Sequence, residues 1–520
     1  MATPHPGNWQ LVLNETDCEL YTNDVPVHAA IIYDNSRGRW HVLYFGFGTY
    51  RSYIWSPENP TIISGPQNIP PWPVPTYPPE VACSGHTFME DGRLFVAGGS
   101  RFYIPAGCPG IIAAGISYTY IFNPVSKTWT VAGLPGPPHA MADGRFYPTV
   151  TILGEGPIKD GLILSISGNR TEALPFPDCM AIINKDPEIY DLINGWSFLQ
   201  NQVMATQPFD EPDDLYLGAH VIPYGENAGK IFYSIPMKQA WLFNPFADTN
   251  IGEEYWLKTG SEKEVYRHDG CSVLLPILPG DNSGKVIVIG GGNPSTNTVE
   301  TINTGDSNPD WAGILPMFFA RRNLNAVILP DDRILVIGGN ESGQLTNPVF
   351  TPEVYDTETG DWTLLPAMNI PRMYHSVALL MPDGRVWVGG TDWQGTSEKN
   401  IEIYSPGYLF EGSQPEIIQA PANITYGTQF QILTSSQISY IRLIRLSSLT
   451  HSTNFEQRSI GLSFQQGPIN GQYPWNVVPP ANANIAPPGY YMLFVLKAKS
   501  ESISGESRIP SAAKIVKLSY

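Results

Sequence analysis

One short pattern recurs through the first four hundred residues and limits what this chain can fold into. An apolar stretch is followed by a polar turn with Gly or Asp, a second apolar run, and then small residues, usually a Gly pair. The clearest copies are MEDGRLFVAGG (89–99), LPDDRILVIGG (329–339) and MPDGRVWVGG (381–390). SGKVIVIGGG (283–292) and KDGLILSISG (159–168) follow the same rule, and RWHVLYFGFG (39–48) and GKIFYSIPM (229–237) are weaker copies. Each reads as a hairpin of two short strands. The 49 Gly and 49 Pro therefore mark turns; without a Gly-X-Y period they are not collagenous. Hydrophobic residues at 42% and aromatics at 12% are too many for a disordered chain.

A second signature follows several copies: a strand, a turn, then Trp, as in YIFNPVSKTWTVAGLP (120–135) and YDTETGDWTLLP (355–366). Each unit then holds four strands. The units resemble kelch repeats, and their mean spacing is about 57 residues against a kelch period of about 50. Seven units imply an all-β seven-bladed β-propeller over residues 1–405. Beyond Ser405 the pattern stops. FQILT, YIRLIRL, YYMLFVLKA and AAKIVKLSY alternate with turns, so residues 406–520 read as a C-terminal Ig-like β-sandwich. No amphipathic helix is expected anywhere.

The net charge of −18 and the lack of any basic run of five or more disfavour a nucleic-acid binder. Apolar runs are strand-sized, so no membrane span is expected. MATPHPGNWQ lacks the basic and apolar regions of a secretory signal. The sequons at Asn14, Asn169, Asn340 and Asn423 are no more than chance supplies.

In a blade the first strand lies innermost, and the residues before it sit at one mouth of the central channel. Counting back fifteen from Gly98 reaches Cys83, and from Gly389 reaches Tyr374, followed by His375. Tyr147 opens the matching strand of the third unit. THSTNFEQRSIGL (450–462) places His451 in a loop of the C-terminal part, from where it could reach the channel. Two His and two Tyr beside a Cys suit copper: imidazole is a good copper ligand and phenolate supplies oxygen donors.

On these residues the chain resembles galactose oxidase and its relatives, the copper radical oxidases, including glyoxal and alcohol oxidases. The carriers are VACSGHTFMEDGRLFVAGG, GRFYPTV, NPVFTPEVY, RMYHSVALLMPDGRV, THSTNFEQR and PPGYYMLFV. The resemblance implies a protein-derived cofactor, a Cys83–Tyr147 thioether that carries a radical. It implies one copper ion held by Tyr147, Tyr374, His375 and His451, with Tyr374 also the catalytic base. The substrates implied are a primary alcohol or an aldehyde and dioxygen, and hydrogen peroxide is a product. A secreted or periplasmic monomer suits this chemistry. The alternative is a kelch module that binds partners through its loops without catalysis.

The other histidines read as structural: His28 and His86 as packing or support, His220 as a packed channel residue. Around the substrate the chain departs from galactose oxidase. Arg170 stands where that enzyme has a Trp over the thioether, leaving Trp72 as a candidate shield. Arg267 is a candidate for its sugar-binding Arg, and Asn340 takes the place of a Gln. If Cys83 is bonded to a tyrosine, Cys18, Cys108, Cys179 and Cys271 remain, to pair in any of three ways or stay reduced.

Overall fold

The computed structural model describes residues 5–13, 24–47, 50–70, 80–132, 140–155, 161–199, 206–209, 211, 214–282, 284–393, 396–468, 472–504 and 507–520. Among these there is no α-helix, only strands and three short 3-10 turns.

The recurring sequence pattern is a recurring hairpin. In its second, sixth and seventh occurrences, Met89, Leu329 and Met381 each accept and donate across a tight turn to Gly92 and Arg93, Asp332 and Arg333, and Gly384 and Arg385. An Asp two residues before the Arg then holds the guanidinium: Asp91 to Arg93 at 2.7 Å, Asp331 to Arg333 at 2.7 Å, Asp383 to Arg385 at 2.9 Å.

Among the described residues seven antiparallel sheets are built on these hairpins, six of them on four strands laid down in chain order and the seventh on three. Their first strands are His28–Asp34, Gly85–Phe88, Thr149–Ile152, Ala219–Val221, Cys271–Leu274, Arg322–Ile328 and Val377–Leu380. These strands are almost wholly buried, and most successive ones touch. The seventh sheet takes its outer strand, Asn8–Leu13, from the start of the chain, paired antiparallel with Ile401–Ser405. That joins the two ends of the ring.

Three devices recur in the ring, two of which bind neighbouring sheets. The Gly pair is one: Gly98 has φ +76°, and a Cβ there would run into the Arg145 carbonyl of the next sheet. The Trp of the second signature is another. It lies on the outer strand and its indole N–H reaches the preceding sheet: Trp129 to Ser52 at 2.8 Å, Trp196 to Thr119 at 2.8 Å, Trp362 to the Leu315 carbonyl at 2.9 Å. On the N-terminal strand Trp9 does the same, donating to the Pro366 carbonyl at 2.8 Å. The third device lies inside the sheets: four buried ion pairs, Arg145–Glu188, Arg267–Glu300, Arg321–Glu353 and Arg372–Glu402. Each Arg comes just before its innermost strand and donates to a carbonyl at the small-residue pair: Ser167, Gly290, Gly338 or Gly390.

Beyond Ser405 two sheets face each other. One holds Phe430–Thr434 and Tyr473–Val477, the other Tyr440–Arg445, Gly489–Lys497 and Lys514–Ser519, with Ile432, Trp475, Leu493 and Val516 buried between them. A hairpin, Ser448–Thr450 and Thr453–Asn454, leaves this sandwich. It pairs with the free edge of His28–Asp34, with Thr450 opposite His28. The first sheet of the ring is thus extended inward by a piece of the C-terminal domain.

Candidate active site

In six of the seven sheets, one residue ahead of the innermost strand or at its start adopts positive φ: Cys83 (63°), Tyr147 (63°), Tyr216 (47°), Asp269 (55°), Asn323 (56°) and His375 (67°). The register of the expectation shifts by one here. Gly85 pairs with Ala97 and Val377 with Gly389, so Gly98 matches Gly390, not Gly389. The equivalent of Cys83 is therefore His375, and Tyr374 stands one residue earlier.

His451 reaches the same place from the sandwich. It sits at the tip of the inserted hairpin, where it and Ser452 have φ of 47° and 64°. Two consecutive positive φ values mark the tight two-residue turn whose twist matches a hairpin. Thr450 fixes the ring, its Oγ1 2.6 Å from His451 Nδ1 and 2.8 Å from the Val27 carbonyl. The hairpin base is tied to the second sheet by Glu456, which accepts from the Phe88 N–H at 3.0 Å and pairs with Arg445. Its tip is touched by the buried Cys271 thiol, which donates to the Ser452 carbonyl at 3.2 Å.

The five expected residues come together. The Tyr147 and Tyr374 hydroxyls are 2.7 Å apart. The His375 and His451 rings are 4.3 Å apart between centroids, and His451 is 4.6 Å from Tyr147 and 5.4 Å from Tyr374. The Cys83 thiol lies against Tyr147, and the Tyr147 N–H donates to the Cys83 carbonyl at 2.9 Å. A cavity of about 210 Å³ opens above the cluster, walled by Tyr147, Tyr216, Tyr374 and His451.

Cys83, Tyr374 and His375 are buried, and Tyr147 and His451 are half-buried. Desolvation pushes the Cys83 thiol and both phenols above their ordinary range. It drives His375 down to about 3 and His451 well below its usual value, so both imidazoles are neutral. Neutral imidazole is the metal-binding form. Both ring nitrogens of His375 and Nε2 of His451 meet no hydrogen-bond partner, which is costly for buried polar atoms unless something binds there. Among the described residues no three His, Cys, Asp or Glu side chains form a metal cage. The donors here are two imidazoles and two phenols.

Several features escaped the sequence reading. Tyr147 is sandwiched between Phe146 (4.1 Å, 13°) and Tyr216 (4.5 Å, 25°). Arg170 does not lie over Tyr147; it turns to Asp186 at 2.9 Å. Trp72 lies outside the described residues. Arg267 is fully buried and engaged by Glu300, Gly290 and Thr298, so it is a structural arginine rather than a substrate contact. Asn340 is also buried, donating to the Ser342 and Gly343 carbonyls and bracing a turn. His220 is packed, 2.7 Å from Ser272. Cys108 and Cys179 form a disulfide, Cys271 is a free buried thiol, and Cys18 lies outside the described residues.

The fold and site together define an all-β protein of the galactose oxidase-like class, with a C-terminal early-set sandwich. Residues 77–408 match the family model described as "Glyoxal oxidase N-terminus", and residues 414–518 the one described as "Galactose oxidase-like, Early set domain". The chain belongs to the glyoxal oxidase family. It is 24% identical over 463 residues to a galactose oxidase of Gibberella zeae, covering 84% of this chain and 61% of that protein, so it spans about three fifths of that relative's length. It is 25% identical over 468 residues to the aldehyde oxidase GLOX of Vitis pseudoreticulata, covering 81% of this chain and 80% of that one. A fungal alcohol oxidase of the AA5 family, solved in complex with copper, superposes with a TM-score of 0.75 at 23% identity, covering 99% of this chain and 100% of the other. That likeness is one of fold.

Proposed function

We propose that the chain is a copper radical oxidase. It would take a primary alcohol to an aldehyde, or an aldehyde to an acid, while dioxygen becomes hydrogen peroxide. The observation that carries this reading is the unpartnered ring nitrogens of His375 and His451 beside two phenols in contact. That donor set fits copper. In this reading Tyr147, Tyr374, His375 and His451 hold the ion. The propeller, residues 1–405, supplies the first three, and the sandwich, residues 406–520, donates His451.

Copper held there supplies a one-electron couple and a positive charge that favours phenolate over phenol. Without that charge, burial keeps Tyr374 protonated; with it, Tyr374 takes the proton of the substrate hydroxyl. Tyr147, joined to Cys83 through a thioether and oxidised by one electron, takes a hydrogen atom from the adjacent carbon. Phe146 and Tyr216 cover the two faces of that ring and keep water from it. The Cys108–Cys179 disulfide supports a home outside the reducing cytosol, secreted or periplasmic.

The test is Cu(II) titration of metal-free protein, then oxygen consumption and peroxide release across a panel of primary alcohols and aldehydes. One copper per chain, peroxide release and an intact mass lower by two hydrogens are expected. No copper binding, or copper binding without peroxide on any substrate, would overturn the reading in favour of a binding module.

A further inference from the structure

Cys83 has to point its sulfur at the Tyr147 ring from a backbone conformation that cysteine rarely adopts, φ 63°. Something must hold it there. Its carbonyl is held by the Tyr147 N–H, and its own N–H donates to His28 Nε2 at 2.9 Å. His28 can accept there only if its proton is on Nδ1. That nitrogen lies 3.2 Å from His86 Nε2, which must in turn be the acceptor. The hydrogen-bond direction is thus set along the whole row, from Cys83 to His28 to His86, and it ends at His86 Nδ1, which meets no partner.

Both imidazoles are buried, 0% and 1% exposed. His28 stacks on Phe45, 4.6 Å and 4° apart, and His86 meets Phe455 edge-on at 5.4 Å. An aliphatic side chain in place of His86 would leave the His28 Nδ1–H without its acceptor, and one in place of His28 would strand the Cys83 N–H, so each imidazole serves the group before it in the row. The His28 backbone stands opposite Thr450 of the inserted hairpin, and its ring lies 6.0 Å from that of His451, between centroids.

We propose that His28, oriented by His86, is the positioning residue that sets Cys83 for its bond to Tyr147. The inference rests on the copper radical reading above. In the cross-linking step the S–H of Cys83 and one ring C–H of Tyr147 are lost and an S–C bond forms. Two electrons and two protons pass to one dioxygen, which leaves as hydrogen peroxide.

The experiment follows the two-hydrogen mass loss with time, after Cu(II) and air are added to metal-free full-length protein, well below the unfolding temperature of each variant. His28→Gln carries an acceptor near the Nε2 position, whereas His28→Asn carries its polar end near Nδ1 and falls short of Cys83. The inference expects cross-linking in His28→Gln within a few-fold of wild type. It expects a slowing of at least tenfold in His28→Asn, and a slowing in His86→Leu, where nothing sets the His28 tautomer. Melting temperatures are measured alongside, because a merely structural pair would lower them in all three variants without separating Gln from Asn. Equal rates in wild type and His28→Asn overturn the inference and leave the copper reading intact. A wild-type chain that keeps both hydrogens overturns the two together.

Discussion

Replacing Arg372 by Leu tests whether the buried ion pairs hold the active site as well as the fold. Arg372 comes two residues before Tyr374 and three before His375. Its guanidinium is fully buried and donates to the Gly390 carbonyl at 3.0 Å and to Glu402 at 3.2 Å. Glu402, equally buried, accepts besides from the Asn369 N–H at 3.2 Å and its side-chain amide at 3.1 Å. Removing one member of a buried pair costs about 3–5 kcal/mol, because the other charge is left uncompensated. The two amide donors that remain on Glu402 put this case near the lower end, about 3 kcal/mol. A chain of this length has an unfolding entropy on the order of 1 kcal/mol per kelvin, so the melting temperature falls by only about 3 °C and denaturant unfolding is the sharper assay. Arg372→Leu combined with Glu402→Leu should regain most of the loss, since no charge is then stranded. A double variant as unstable as the sum of the two single ones would refute charge burial as the cause. Copper affinity is the second measurement. Supporting residues typically carry a 10- to 100-fold effect, so Arg372→Leu should weaken Cu(II) binding by about that much. Arg321→Leu breaks the same kind of pair in the sixth sheet, which supplies no proposed ligand. It should match the stability loss and leave copper affinity unchanged.

Tyr374→Phe removes the hydroxyl that meets Tyr147 and with it the proposed base; kcat should fall about 10²- to 10⁴-fold while the two-hydrogen mass loss persists. Ser452→Gly relieves positive φ at the hairpin tip and should stabilise the protein by about 1 kcal/mol in denaturant unfolding, with His451 left in place. Cys108→Ser with Cys179→Ser opens a link across 71 residues, a loss of up to about 4 kcal/mol by chain entropy, read as a lower denaturant midpoint that wild type reproduces under reducing conditions. Burial, against the partial support of Glu300, takes Lys263 down to about 7. The unfolded chain therefore binds one more proton between about pH 7 and the ordinary lysine range, and stability rises with pH across that window, by at most about 1.4 kcal/mol per unit. Lys263→Met should flatten that part of a stability–pH profile.

The sequence reveals what repeats. Hairpins, Gly pairs and outer-strand Trp recur because seven similar sheets meet similar demands, and four of the site residues could be placed from that register. What does not repeat locally stayed hidden. Tyr216 belongs to the fourth sheet, whose inner strand is only Ala219–Val221 and whose hairpin lacks a Gly pair, so no count reaches it. The Arg–Glu pairs join residues about 30–40 positions apart, with unlike sequence between them. The Trp pattern was legible, but its partner lies one sheet back, a relation that only closure of the ring creates. Tyr374 was placed one step off because the Gly that follows the last paired residue of the second strand is the first of its pair in the second sheet and the second of its pair in the seventh.

The backbone at the channel mouth explains why the site needs a donor from another domain. Left-handed φ costs a non-glycine residue roughly 1–2 kcal/mol. Asp269 and Asn323 are types that tolerate it, and His375 does so better than most. Cys83, Tyr147 and Tyr216 are not, yet all three stand at the cluster. The conformation turns the chain at the head of each inner strand and brings the side chains at these positions together at the mouth. Among the described residues the first sheet alone has no such residue ahead of its inner strand. Its edge is the one the sandwich hairpin occupies, and the tip of that hairpin, His451, has φ 47°. The ring position that the propeller leaves empty is filled from outside, by a residue in the same backbone conformation as the other six. A hairpin shortened by two residues at its tip would keep the seven sheets and remove only this donor.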